Sequence, residues 1–371
     1  MMHFVKTEGI TFDDVQIVPL YSDVEHRSEV DISTRLVGDI RLDIPLIPAN
    51  MDTISSPEMS IVCTKVGSIC FVHRFMSVEE QLTSFVKGST AGGFGLSAHI
   101  GFSVGASKSE QARIKHIIAW YENKAKEGIF DVEYRPLILM LDVAHAHHKL
   151  VKEAIEFIKN LSNCYVIAGN ISNKVAAKDL IEWGADSLVV GIGGGSLCET
   201  RIRTGVGIPQ MTAISNVSEA ISEYEYTTLS PRIITLIADG GIKYPGDIAK
   251  AIAAGADCCM SGALFAGTEE TPGRVVKRGP VFYEKSFKEY RGSASSSSKE
   301  ARGEYGHIEG ASKFIEARGS ASEVFQSVGD GLKSAYSYVG ARTTEQFQSR
   351  AFLQKVSNSS IIEARPNFLE R

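Results

Sequence analysis

The chain has 371 residues, 43% of them hydrophobic and 22% charged, with a formal net charge of −5. That is an ordinary globular composition with ample material for a large core. No block of like charge suits a nucleic-acid arm, no apolar run nears the roughly 20 residues that cross a bilayer, and Met1-Met-His-Phe-Val-Lys6 lacks a signal-peptide core.

Short apolar runs alternate with longer segments whose apolar residues recur every three or four positions. Strands are expected over Ile44–Asn50, Ile69–His73, Phe94–Ile100, Pro136–Val143, Cys164–Asn170, Ser187–Gly193, Ile233–Ile242 and Cys258–Phe265. Helical patterns lie between them, for example over Val151–Leu161, Lys174–Gly184 and Tyr244–Gly255. Two end at glycine, in Trp183-Gly-Ala-Asp186 and Ala254-Gly-Ala-Asp257, a helix stop leading into the next strand. Eight βα units predict an α/β fold of the (β/α)8 TIM-barrel type, a single catalytic domain with its loops at the C-terminal strand ends. An open doubly wound sheet is the alternative, but no GxGxxG opens a first helix.

Two connections are long. One runs from Gly193 to Ile233; the other spans residues 266–321 after strand eight, and a C-terminal tail is expected after about residue 345. The second contains Ser293-Ala-Ser-Ser-Ser-Ser298, too polar to pack a core, and reads as a solvated linker or as a lid. In a compact domain a loop of this length favours the lid.

The six cysteines (Cys63, Cys70, Cys164, Cys198, Cys258, Cys259) form no Cys-x-x-Cys pair. Reduced thiols in a cytoplasmic compartment are expected. Cys198 differs from the rest because it follows the glycine-dense run Gly191-Ile-Gly-Gly-Gly-Ser-Leu and precedes Glu199-Thr200. Glycines let bare N–H groups face an anion, and the thiol one turn later is a candidate nucleophile. The alternative is a glycine-rich turn with a buried cysteine. His145, His147 and His148 follow the fourth strand, but no Cys, Asp or Glu stands at a spacing that would complete a metal site.

Taken in order, Gly9-Ile-Thr-Phe-Asp-Asp-Val15, Asn50-Met-Asp-Thr53, Ala168-Gly-Asn170, the cysteine loop, Thr204-Gly-Val-Gly-Ile-Pro-Gln210, Ala238-Asp-Gly-Gly-Ile-Lys-Tyr-Pro-Gly-Asp247 and Met260-Ser-Gly-Ala-Leu-Phe-Ala-Gly267 resemble the IMP dehydrogenase and GMP reductase family. The resemblance runs from about Gly9 to Gly340. It implies a purine nucleoside monophosphate as substrate, NADPH (or NADH/NAD) as cofactor, a homotetramer, and Cys198, Thr200 and Glu309 as catalytic residues. It further implies substrate contacts at Ser196, Asp239, Gly240, Gly241, Gly262, Ala263, Tyr290, Gly292 and Gly310. Asp142, Val143 and Ala144 would face the cofactor, with the three histidines beside them. Carbonyls of Gly193, Gly195 and Cys198 would hold a monovalent cation such as K+.

Within the family the chain has no room for the regulatory insert that many dehydrogenases carry. Gly292 to Glu309 spans 18 residues and holds no adjacent Arg-Tyr pair, since Arg302 and Tyr305 are separated. Glu304-Tyr-Gly-His-Ile-Glu-Gly310 resembles the lid of GMP reductases, and Thr204-Gly-Val-Gly207 is reductase-like; Ala238 to Tyr244 and Tyr290-Arg-Gly292 read more like bacterial dehydrogenases. Two positions depart from the reductase pattern: Arg74 and Ala311 stand where lysines are expected. A GMP reductase-like oxidoreductase is the leading expectation. An IMP dehydrogenase without regulatory modules and an inactive nucleotide-binding regulator are the alternatives.

Overall fold

A computed structural model describes residues 7–90, 100–128, 136–229, 231–279, 284–301, 303 and 308–363. Eight parallel strands make one sheet: β1 Leu46–Pro48, β2 Cys70–Val72, β3 Ile100–Val104, β4 Ile138–Asp142, β5 Tyr165–Ile171, β6 Ser187–Val190, β7 Thr235–Asp239 and β8 Cys258–Ser261. Their spatial order is β1-β8-β7-β6-β5-β4-β3-β2. The two end strands are thus consecutive in sequence, and Ser68 Oγ donates to the Leu46 carbonyl at 2.6 Å across their seam. The sheet is nearly closed into a (β/α)8 barrel. Its helices are α1 Pro57–Lys65, α2 Val78–Thr90, α3 Glu110–Lys126, α4 Lys149–Leu161, α5 Lys174–Trp183, α6 Gln210–Thr227, α7 Pro245–Ala253 and α8 Ala321–Val339.

Local chemistry sets these helices. Ser56 caps α1, accepting from Met59 N at 2.9 Å, with Pro57 in the first turn. Asn173 caps α5, which ends at Gly184 with φ +110°, the expected glycine stop. Strand residues alternate between two cores. Ile138 and Met140 of β4 face the barrel interior with Ile47, Phe71, Ile167, Val189 and Ile237. Leu139 and Leu141 face the helices. A hairpin of Thr34–Val37 and Ile40–Leu42 adds Leu36, Val37, Ile40 and Leu42 to the interior cluster. Thr235, the first residue of β7, donates to the Leu36 carbonyl. The hairpin therefore plugs the N-terminal mouth and leaves the C-terminal mouth for chemistry.

One expectation changes, and two segments gain detail. The third strand is Ile100–Val104, not Phe94–Ile100, whose residues 94–99 lie outside the described residues. Its pattern misleads because Gly101 makes room for the Phe71 ring and Ser103 is a buried interior residue bonded to Asn50. The serine run is not a solvated linker: Ser296–Ala301 is helical, and Ser295 and Ser298 are 1% and 0% exposed. After residue 345 the described chain continues within the fold. Thr344–Arg350 is helical, and Leu353–Lys355 pairs antiparallel with Val15–Ile17. No helix among the described residues is long and apolar enough to cross a membrane.

Candidate active site

A cavity of about 480 Å³ opens at the C-terminal strand ends. Every site residue singled out from the sequence lines it: Cys198, Thr200 and Glu309; Ser196, Asp239, Gly240, Gly241, Gly262, Ala263, Tyr290, Gly292 and Gly310; Asp142, Val143 and Ala144; and Gly193 and Gly195.

Cys198 is exposed, while the other five cysteines are buried. Its Sγ donates to Thr200 Oγ1 at 3.2 Å, and Thr200 Oγ1 donates to Glu309 Oε2 at 2.9 Å. A thiol, a hydroxyl and a carboxylate thus form one proton chain. The lid aligns it through backbone pairing. Cys198 and Gly310 form an antiparallel bridge, Glu199 N donates to the Glu309 carbonyl at 2.8 Å, and Ala311 N to the Leu197 carbonyl at 2.9 Å. Arg302, Tyr305 and His307 of the lid lie outside the described residues.

On the β6–β8 side the walls are mostly backbone. Gly191 has φ +146°, and a Cβ there would strike the Asp239 carbonyl. Gly240 has φ +95°, and a Cβ there would come within 3.0 Å of Gly195 N. The β6 and β7 loops can meet only because both positions are glycine. Ser196 Oγ lies 3.2 Å from Tyr290 Oη, which roofs Gly262. Hydroxyls over bare backbone suit a phosphate. Next to this cradle Asp239 Oδ2 accepts from Asn170 Nδ2 at 2.8 Å. Burial raises its carboxyl, Asn170 lowers it and nearby Asp142 raises it, leaving it at about 6.

The β2 and β4 loops form the other half. Asp142, Val143 and Ala144 line the cavity there together with Arg74 and Phe75. Burial pushes the Asp142 carboxyl up, while Arg74 and Asn50 pull it down. His147 Nε2 is 2.7 Å from Asp179, and His148 Nδ1 accepts from Leu150 N to cap α4. No group of three or more His, Cys, Asp or Glu side chains that could hold a metal occurs among the described residues. Gly193, Gly195 and Cys198 offer three carbonyls of one turn, and that of Gly195 already accepts from Cys198 N at 3.1 Å. They would supply only part of the shell of a monovalent cation.

Sequence reasoning missed the residues that hold these loops. Arg201 donates through Nε and Nη2 to the Ile192 carbonyl at 3.1 and 3.0 Å. Gln210 Nε2 donates to the Val190 and Asp239 carbonyls at 2.8 and 3.1 Å. Arg291 ties the lid base to Asp52 at 2.8 Å. Lys243 and Lys299 also line the cavity. Only position in a motif marked Gln210; long-range partners of a lone Arg or Lys leave no local pattern.

Residues 9–367 match the IMP dehydrogenase / GMP reductase domain. An inosine-5'-monophosphate dehydrogenase of Borreliella burgdorferi is 34% identical over 412 aligned positions, covering 99% of this chain and 98% of the relative. A GMP reductase of Clostridium acetobutylicum is 35% identical over 341 positions, covering 91% and 93%. A second GMP reductase, from Lactococcus lactis, is 35% identical over 334 positions, covering 89% and 90%. Both activities thus occur among relatives of equal similarity, and overall identity does not choose between them. With the barrel, the cysteine loop and the match over nearly its whole length, the chain belongs to the IMP dehydrogenase / GMP reductase family, oxidoreductases that act on purine nucleotides.

Proposed function

We propose that the protein is a GMP reductase, catalysing NADPH-dependent reductive deamination of GMP to IMP and ammonia through a covalent adduct on Cys198. The observation that carries the direction is the lid. It spans 18 residues from Gly292 to Glu309 without an adjacent Arg-Tyr pair to activate water, yet brings Glu309 onto Thr200 beside the thiol.

The cradle of Ser196, Gly240, Gly241, Gly262 and Tyr290 holds the phosphate, and Asp239 accepts from the ribose. This sets purine C2 against Cys198. As the S–C2 bond forms, the thiol proton passes through Thr200 to Glu309. That proton completes ammonia on the 2-amino group as the C2–N bond breaks, and one proton from solvent stays on the purine ring, leaving a thioimidate cation. Covalent capture divides one difficult substitution into two easier steps. The cavity extends past Cys198 to Asp142, Val143, Ala144 and the guanidinium of Arg74, a polar and apolar wall that fits a nicotinamide. The nicotinamide, when bound there, supplies a hydride to C2. Cleavage of the S–C2 bond then returns the thiol, whose proton comes from the purine ring, so that the whole cycle takes up one proton.

The second reading, oxidation of IMP to XMP with NAD and water, is favoured by the dehydrogenase relatives that span almost the whole chain. Absorbance of the reduced nicotinamide separates the readings. GMP with NADPH should lose absorbance; faster gain with IMP and NAD would reverse the assignment, and no change with either pair would leave a binding protein. The assembly proposed with this function is a homotetramer, checked by light scattering.

A further inference from the structure

A second cavity, of about 530 Å³, shares no lining residue with the active one. Neighbouring residues of the same loops divide between the two. Asn50, Met51, Arg74 and Phe75 line the active cavity, whereas Asp52, His73 and Met76 line the second. Its remaining walls come from the start of α1 and the loop after β8. Four carboxylates line it, those of Asp52, Glu58, Glu269 and Glu270, against the one ammonium of Lys288. That ammonium is committed: its three protons reach the carbonyls of Thr268, Glu269 and Thr271 at 2.8, 3.0 and 2.9 Å. His73 adds no charge, because its Nδ1 accepts from Phe75 N at 3.2 Å and an accepting imidazole is neutral. Glu58 and Glu269 are exposed, whereas the Asp52 side chain is 10% exposed. Asp52 Oδ2 takes Arg291 and Ser298, but Oδ1 is buried without a hydrogen-bond partner among the described residues. A buried carboxylate oxygen left without a donor is costly, and one on a cavity wall calls for a ligand that supplies the donor.

We propose that this cavity is a second ligand site, for an aliphatic diamine or polyamine, one ammonium donating to Asp52 and another meeting Glu58 and Glu269 at the mouth. The acids do not converge on one point: no group of three or more that could hold a metal occurs among the described residues. Acids set apart along a cavity suit a cation whose charges are set apart along a chain. Pro57, Val72, Met76 and Pro272 supply apolar wall for the methylenes between those charges. No Phe, Tyr or Trp lines the cavity, so no ring stands ready to stack on a flat cation or to cage a quaternary one. An ammonium at Asp52 leaves the Oδ2 bonds to Arg291 and Ser298 in place, so the ligand and the lid base share one carboxylate. The site does not depend on the direction of the proposed reaction.

The test is isothermal titration calorimetry on the full chain without nucleotide, at about pH 7.5 and physiological salt, where amines are protonated and diffuse charge is screened. The probes are diaminobutane, butylamine and butanediol, which share a four-carbon stem and differ in charge. Diaminobutane should bind saturably, one per chain, about 2- to 5-fold tighter than butylamine, the increment of an exposed ion pair. Butanediol should not saturate. Asp52→Asn should weaken both amines by about 10- to 100-fold, the loss of hydrogen bonds to a charged group. Glu58→Gln with Glu269→Gln should leave butylamine unchanged and remove the advantage of diaminobutane. Both of these residues are exposed, so the double variant decides the matter if Asp52→Asn folds poorly. Butanediol binding as tightly as the diamine, full amine affinity in Asp52→Asn, a diamine advantage that survives the double variant, or no saturable binding by wild type would each overturn the site.

Discussion

Cys198, Thr200 and Glu309 are joined by contact, the thiol donating to the hydroxyl at 3.2 Å and the hydroxyl to the carboxylate at 2.9 Å, and in the proposed reaction this chain carries the proton. Cys198→Ser is expected to stop turnover while keeping IMP binding, because the cradle does not include the sulfur; turnover at the wild-type rate would remove the nucleophile. Glu309→Gln keeps the shape but ends proton acceptance. A positioned acid–base group contributes about 10²- to 10⁴-fold, so GMP reduction should fall in that range. Hydride exchange between IMP and oxidised cofactor should continue, since it releases no ammonia. Asp239 adds a pH dependence. With its carboxyl raised to about 6, it is ionised at pH 7.5 and protonated below its midpoint, where it would be a weaker acceptor for the ribose hydroxyls of the proposed substrate. IMP affinity should therefore decline as pH falls through about 6. The substrate phosphate titrates near there too. The ratio of wild-type to Asp239→Asn affinities isolates the protein's part, and a ratio that stays flat from pH 7.5 to 5 would exclude it.

The lid acts because two contacts pin it. Its strand bridge at Gly310 sets the register on the cysteine loop, and Asp52 holds its base through Arg291 at 2.8 Å and Ser298 Oγ at 3.4 Å. Asp52 and Arg291 are only 10% and 21% exposed. Removing one partner of such a pair leaves an uncompensated charge, at a cost of about 3–5 kcal/mol, whereas replacing both with apolar groups is often neutral. Asp52→Ala should lower stability by that amount and raise the KM for nucleotide; Asp52→Leu with Arg291→Met should restore stability in chemical denaturation. The serine run was readable as a lid but not as a buried one, since burial of Ser295 and Ser298 follows from where Asp52 and Gly310 sit. The third strand was misplaced for a similar reason: Gly101 and Ser103 look like breaks until Phe71 and Asn50 are seen against them.

At the scale of the whole molecule, the first and last strands of the described residues meet. Val15–Ile17 pairs with Leu353–Lys355, and Val356 N donates to the Asp14 carbonyl at 2.9 Å. The segment just before that strand reaches the cradle: Phe12 is buried, a Cβ on Gly241 would lie 3.4 Å from its ring, and Lys250 Nζ holds its carbonyl at 3.0 Å. Truncation after Ala351 should therefore lower the thermal midpoint and raise the KM for nucleotide, with a smaller change in kcat because the Cys198 chain lies elsewhere. Calorimetry and steady-state kinetics on the truncated chain check both, and an unaltered KM would show that the clasp does not support the cradle.

The sequence by itself determined the βα alternation, the glycine loop with its one cysteine and the acidic strand ends, because periodicity and glycine placement are local properties that survive without a fold. Residues 198, 239 and 309 could be named on motif alone. Tertiary structure alone decided that Gly310 pairs with Cys198, that Arg74 faces Asp142 and that Arg291 reaches Asp52. Each joins positions tens to hundreds of residues apart, brought together by closure of the barrel, and contacts made by closure leave no repeat along the chain.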